Sequence, residues 1–249
     1  MQLTARALHL LNLLAVTNKT DLIRIGSKFD GGYFLPQTYI KSIGIISGGI
    51  GDNNDFEFQL ASLGKKILQY DPSIEVPPKT HSNLAFKKLA LGELGISLAE
   101  STNQYRSTFG ETIADGILKI DIEGFEWELF AEYSDSNFQD QLCNAFAIIV
   151  AELHFLSSIH EDAFWYKVKL GLETLLRFYE VVAINGNNCR EIVQVGGVPI
   201  VDIVEVTFLR KSFTSPQRAS GSPMQSSRNL EDRSPVFISW PTLSGTEMD

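Results

Sequence analysis

The sequence predicts an α/β domain built on a mostly parallel sheet. Three observations carry this. Short apolar runs alternate with helix-spaced patterns from about residue 43 to residue 210, and strands joined by crossover helices make a parallel sheet. The run Ala145–Leu153 is nearly all apolar, as a strand buried on both faces requires. Several runs end abruptly in acids, glycine or proline, the residues that turn a chain out of a sheet.

The elements follow in order. Leu3, Ala7, Leu10, Leu11 and Leu14 fall near i, i+4, i+7 spacing, so residues 1–20 hold an amphipathic helix docked on the core. His9 and Asn12 interrupt its apolar run and no clean cleavage site follows, which argues against a removed targeting segment. Arg24–Tyr33 contains Asp30-Gly31-Gly32-Tyr33, suited either to a hairpin or to a lid over a binding-site mouth. Ile43–Ile46 is the first core strand, and Asn54–Leu63 a helix stopped by Gly64. Lys66–Tyr70 is a strand closed by Asp71-Pro72, since proline cannot continue the ladder.

Asn83–Leu89 is the third strand and Ile117–Ile122 the fourth, with a helix from Phe125. Ala145–Leu153 is the fifth, and Glu161–Phe178 has helical periodicity. Glu180–Ile184 and Ile200–Leu209 are joined by a glycine-containing loop without a long helix. Such a short connection suits an antiparallel last strand. Ser101–Ala114 and Ser157–Phe164 read as substrate-facing loops. The domain spans residues 21–212. Residues 213–249 are rich in Ser, Arg, Gln and Pro without periodicity, which predicts a disordered tail. Within it Val236–Trp240 is an apolar island that either docks back on the domain or stays unstructured.

A net charge of −9 and a pI near 5.0 argue against a nucleic-acid partner, which needs a basic face. No stretch approaches the length of a membrane span. Cys143 and Cys189 have neither metal-ligand spacing nor a framework pattern, so a reducing compartment, the cytoplasm, is expected.

Chemistry-bearing residues gather at the predicted strand ends. Ser47-Gly48-Gly49-Ile50-Gly51-Asp52 is a glycine-rich turn between strand and helix, where a ligand can approach the backbone. The GxGxxG fingerprint is absent and Asp52 and Asp55 would repel a pyrophosphate. The turn therefore suits a cationic nucleoside such as S-adenosylmethionine better than a nicotinamide cofactor. Asp71, about twenty residues on, can accept hydrogen bonds from ribose hydroxyls; its alternative is an ordinary Asp-Pro turn. Asp121 and Glu123 in extended chain would point the same way, and so would Glu152 and His154. Three crowded carboxylates need compensation. Lys119 on the strand face of Asp121 is one candidate, and Mg²⁺ or Mn²⁺ on Asp121, Glu123 and Glu152 another.

These pieces, in this order, resemble the FkbM-like methyltransferases of the S-adenosylmethionine-dependent class I enzymes. The matching residues are Arg24–Tyr33, Gly48–Gly51, Asp71-Pro72, Leu118–Glu126, Glu152-Leu153-His154, Asn187-Asn188 and Val204–Arg210. The resemblance implies a Rossmann-like class I methyltransferase fold, a mostly parallel seven-stranded sheet with helices on both faces. It implies O-methylation of a small molecule or sugar hydroxyl. Asp30, Gly48, Gly49, Gly51, Asp71 and Asp121 then face the cofactor, His154 is the first choice of general base and Lys119 the second. Related sequences often carry His where this chain has Asn185. That departure supports a rival expectation, a non-catalytic nucleoside-binding or scaffold protein that keeps the fold.

Overall fold

Ile45, Ile46, Ile67, Leu68, Ile117 and Leu118 are withdrawn from solvent, and so is the whole run from Phe146 to Leu153. Strands this apolar need cover on both faces, and the chain supplies it. The structure is a computed structural model and describes residues 1–18, 20–39, 44–92, 94–214, 229–234 and 236. Among them the order is α1 (Gln2–Leu13), β1 (Leu22–Gly26), β2 (Gly32–Pro36), β3 (Gly44–Gly48), α2 (Asp55–Ser62), β4 (Lys66–Tyr70) and β5 (Leu84–Lys87). Then come α3 (Leu98–Phe109), β6 (Gly116–Ile120), α4 (Glu126–Ala131), α5 (Gln139–Ala145), β7 (Phe146–Leu153) and α6 (Asp162–Leu175). The chain continues through β8 (Tyr179–Gly186), β9 (Ile192–Val195), β10 (Val198–Val201) and β11 (Val204–Arg210).

The central sheet has seven strands in the order β5-β4-β3-β6-β7-β11-β8. The neighbours from β5 to β7 pair in parallel, and β11 runs antiparallel to both β7 and β8. The antiparallel last strand agrees with the short connection that leads into it. Alternate residues of each strand face opposite layers. Ile46, Leu68, Leu118 and Ile149 pack with buried residues of α1, α3, α4, α5 and α6. Ile45, Ile67, Ile117, Ile148 and Val150 pack with α2 and with Ile25, Tyr33 and Leu35 of the β1–β2 hairpin. One face thus carries five helices and the other a helix and a hairpin. Thr207 Oγ1 donates to the Phe34 carbonyl at 2.6 Å, which ties the hairpin to β11.

Several expectations are corrected. Ser101–Ala114 is not a loop: α3 occupies most of it, with Ser97 Oγ accepting from Glu100 N–H at 3.1 Å and Gly110 ending it at φ 71°. Ser97-Leu98-Ala99-Glu100 has the spacing of a capping box, a legible signal that the polar composition of the helix masks. Ser157–Phe164 holds a short 3-10 turn and the start of α6. The single run Ile200–Leu209 divides at Asp202 into β10, which among the described residues pairs with β9 alone, and β11. The first core strand begins at Gly44, and Ile43 lies outside the described residues. Most of the expected disordered tail, with Phe237–Trp240 of its apolar island, also lies outside them. Residues 229–234 and Val236 lie against the domain. Among the described residues no helix is long and apolar enough to cross a membrane.

Candidate functional site

The turn after β3 is pinned from three sides. Gly49 has φ 76°, and a Cβ there would collide with the Asp121 carbonyl beyond β6. Only glycine allows that approach. The Lys119 ammonium donates to the Gly49 carbonyl. Asp71 holds the rest: Oδ2 accepts from Ile50 N–H at 2.7 Å and Gly51 N–H at 2.8 Å, and Oδ1 accepts from the N–H and hydroxyl of Ser73. Burial alone would raise the Asp71 pKa, but hydrogen bonds from Gly51, Ser73 and Ile50 outweigh it and hold the carboxyl below its ordinary value. A carboxylate offers about four acceptor positions, so all of them are engaged. Asp71 would have to release one to meet a ribose. Gly51, at φ 55°, faces open space.

Past the end of β6 the chain reverses. Glu123 is left-handed at φ 56° and Gly124 follows at φ 105°. The extended geometry that would place Asp121 and Glu123 side by side is therefore lost. Asp121 stays at the edge and the Glu123 side chain is 81 % exposed. Asp121 Oδ2 accepts from the Tyr33 hydroxyl at 3.1 Å and lies 3.8 Å from Lys119 Nζ, whose ammonium sits 5.4 Å from the centre of the Tyr33 ring. Arg24–Tyr33 is thus the expected hairpin, an antiparallel pair whose Tyr33 hydroxyl reaches the acid.

His154 follows β7 and is 3 % exposed. Its Nδ1 lies 3.0 Å from Glu126 Oε1, which also accepts from Ile122 N–H at 3.0 Å and Gly124 N–H at 3.2 Å. Glu126 itself is fully buried, with Oε2 unpaired among the described residues. Glu126 Oε1 already accepts two backbone N–H groups, so Nδ1 is placed to donate to it, which leaves Nε2 as the working atom. That Nε2 lies 3.6 Å from Glu123 Oε2, 3.8 Å from Asp121 Oδ1 and 3.9 Å from Glu152 Oε1. Burial would lower the His154 pKa. The hydrogen bond to Glu126 and the charges of Glu126, Asp121 and Glu123 more than offset that and raise it.

Glu152 belongs to a polar row across neighbouring strands: Glu152 pairs with Glu205, and Glu205 with Asn185. Burial first, then Asp121, Glu205 and Asp30, push Glu152 well above the usual carboxylate range, against the 2.7 Å hydrogen bond from Asn187 Nδ2. Glu205 is raised to about 7, chiefly by burial. It accepts from Asn185 Nδ2 at 3.0 Å and from Asn229 Nδ2 at 2.5 Å. Asn229 comes from the C-terminal segment. Its N–H and that of Leu230 donate to Asn188 Oδ1, and its carbonyl accepts from Asp30 N–H at 3.2 Å. Asn188 Nδ2 in turn bonds the Leu230 and Arg233 carbonyls, and Val236 bridges to Gly186. Asp30 therefore faces this segment, with Oδ1 3.3 Å from Asn229 Nδ2.

The structure brings Lys119, Asp121, Glu152 and His154 together next to the Gly48–Gly51 turn, and leaves Glu123 at the rim. Sequence reasoning singled out Arg24–Tyr33 and Asn187-Asn188 without giving Tyr33 or Asn187 a partner, and missed Glu126, Glu205 and Asn229 as members of this network. Glu126 reads as an ordinary acid in a first helical turn, and only its burial separates it from one. Compared with models of known protein families, the sequence matches none, and the search of curated proteins returns no match. The geometry of this strand-end site is therefore what a functional assignment rests on.

Proposed function

We propose that this chain is an S-adenosylmethionine-dependent methyltransferase of the class I fold, acting on a hydroxyl of a small molecule or sugar. The observation that carries the proposal is the placement of a buried, carboxylate-held imidazole beside the glycine turn, at the carboxyl edge of a parallel sheet where α/β ligands bind. Counted within the sheet, the strand order is 3-2-1-4-5-7-6 with the seventh antiparallel. A mostly parallel sheet of seven strands is what the resemblance to the FkbM-like enzymes implies.

The residues present fit a cationic nucleoside. The turn is glycine-lined and open above Gly51, and Asp121 stands beside it. Gly48, Gly49 and Gly51 would lie against the methionine part, with Asp121 facing the positive charge. Bound there, the cofactor supplies an electrophilic methyl group. The chain's own work is to align the acceptor oxygen with that group and to take its proton. His154 Nε2 accepts the hydroxyl proton, and the imidazolium so formed is stabilised by Glu126 and Asp121. Lys119 is the weaker candidate for base, because its ammonium is committed to the Gly49 carbonyl and Asp121.

Calorimetry with S-adenosylmethionine, followed by a radiolabelled methyl-transfer screen on sugars and phenols, tests this. Binding with turnover that disappears in His154→Ala is the expected result. Absence of binding to the folded protein sinks the proposal, and binding without turnover across the panel favours the scaffold alternative.

A further inference from the structure

We propose that Asp121, Glu152 and His154 form a binding site for one divalent cation of the Mg²⁺ or Mn²⁺ type. The site goes beyond methyl transfer and stands without it, since the cation needs neither cofactor nor acceptor to bind. The ligand set differs from the all-carboxylate set that the sequence suggests: His154 replaces Glu123.

Donor atoms of these three residues all lie within 4.8 Å of one another. A cation of this size takes ligands at about 2.1 Å, so adjacent donors of an octahedron stand about 3.0 Å apart. The separations of 3.8 and 3.9 Å from Nε2 to the two carboxylates close to that by side-chain movements of under about 1 Å. Oxygen ligands with one imidazole suit Mg²⁺ or Mn²⁺ rather than a thiol-seeking metal.

Acid crowding alone would not make a site, and two further observations point to a ligand. The His154 ring is almost wholly buried, yet its Nε2 is beyond hydrogen-bond distance of every partner among the described residues and aims at the carboxylates. On the other side of the ring, fully buried Glu126 takes Nδ1. That is the outer-shell arrangement which fixes the tautomer and orientation of a metal-binding histidine.

Asp121 divides its work in a compatible way. Oδ2 serves Tyr33 and Lys119, while Oδ1 faces Nε2. Glu152 has Oε1 steadied by Asn187. Glu123 Oε2 comes within 3.6 Å of Nε2, but Glu123 is not one of the three residues whose donor atoms gather within 4.8 Å of one another, and its side chain is largely in solvent, so it adds to the field without supplying a bond. With the cation in place Nε2 is a ligand, so the cation-bound form is distinct from the form in which Nε2 takes an acceptor's proton; a hydroxyl bound to the cation would instead lose its proton to solvent more readily than a free one.

The test uses the full chain, stripped with chelator and titrated with Mn²⁺, with the free ion followed by electron paramagnetic resonance. One equivalent should bind, and Mg²⁺ should displace it. Asp121→Asn, Glu152→Gln and His154→Ala should each weaken binding at least tenfold, and Glu126→Gln by about 10–100-fold. Glu123→Gln should change it by less than about twofold, as befits an exposed charge. Pulsed resonance on the unaltered protein should show coupling to one imidazole nitrogen, a readout that survives if a variant fails to fold. No Mn²⁺ bound at about 1 mM, no nitrogen coupling, or unchanged binding in Glu152→Gln overturns the proposal. Parallel calorimetry with S-adenosylhomocysteine separates the two readings. Mn²⁺ binding without nucleoside binding sinks methyl transfer and supports the cation site, and the reverse result sinks the cation site alone.

Discussion

Gly49 and Gly51 stand two residues apart with similar left-handed backbones, yet they do different things. At Gly49 a Cβ would strike the Asp121 carbonyl, and at Gly51 it would meet nothing within 4 Å. Gly51→Ala should therefore cost only the left-handed penalty, about 1–2 kcal/mol. Gly49→Ala adds a backbone collision and should cost clearly more, upwards of about 3 kcal/mol. Urea unfolding of both variants checks this, and equal losses would show that the turn is not clamped against β6. Glu205 gives a second prediction. Its folded pKa of about 7 lies above the ordinary carboxylate value, so between those two values the folded state binds more protons than the unfolded. Its contribution to stability is thus fully present below the unfolded pKa and lost as pH rises through about 7. Glu205→Gln should flatten that decline in a series of melting curves. Asn229, whose Oδ1 has no partner among the described residues, can rotate its amide to receive the new donor. An unchanged slope would remove Glu205 as the cause.

At the scale of elements, the site is made of connections. Between β3 and α2 the turn is held by Asp71 and Lys119, and between β6 and α4 the reversal is held by Glu126 on the Ile122 and Gly124 amides. Asp71→Ala would leave the buried Ile50 amide unpaired and turn the exposed Gly51 amide over to solvent. An unsatisfied buried donor costs about 1–3 kcal/mol, so the variant should lose about that much stability as well as nucleoside affinity. Asp71→Asn, which keeps an acceptor oxygen, should recover part of it. Denaturation that leaves Asp71→Ala as stable as the unaltered chain would show that the carboxylate is free for a ligand. The β1–β2 hairpin does on its face what helices do on the other. It buries Ile25, Tyr33 and Leu35 on the sheet and sends the Tyr33 hydroxyl to Asp121.

Across the whole molecule, the C-terminal segment closes the network that the sheet opens. Asn229 is buried against Glu205 and Asp30, and Asn188 holds the backbone of the segment at both ends. Removing residues 215–249 should leave the sheet folded but deprive Glu205 and Asn188 of these partners. The expected loss is about 1–3 kcal/mol, roughly 2–4 °C of Tm for each kcal/mol in a domain this size. A truncated chain melting at the same temperature would show that the segment adds nothing to stability.

The sequence by itself determined the class of the fold and the residue types at its working edge. Alternation of apolar runs with helical spacing fixes strands and crossovers locally, because a fully buried strand has to be apolar along its whole length. The ends of β4 and β7 lie where Asp71-Pro72 and Glu152-Leu153-His154 place them. Tertiary structure alone decided what those residues face. Glu123 is turned to the solvent rim of the cluster by one left-handed φ, and Glu126 enters it through burial that no local pattern encodes. Asp71 is absorbed by a turn twenty residues upstream, and Asn229 joins Glu205 from 24 residues further along the chain. Hydrogen bonds and desolvation depend on which groups share a space, and for distant segments only the folded chain sets that.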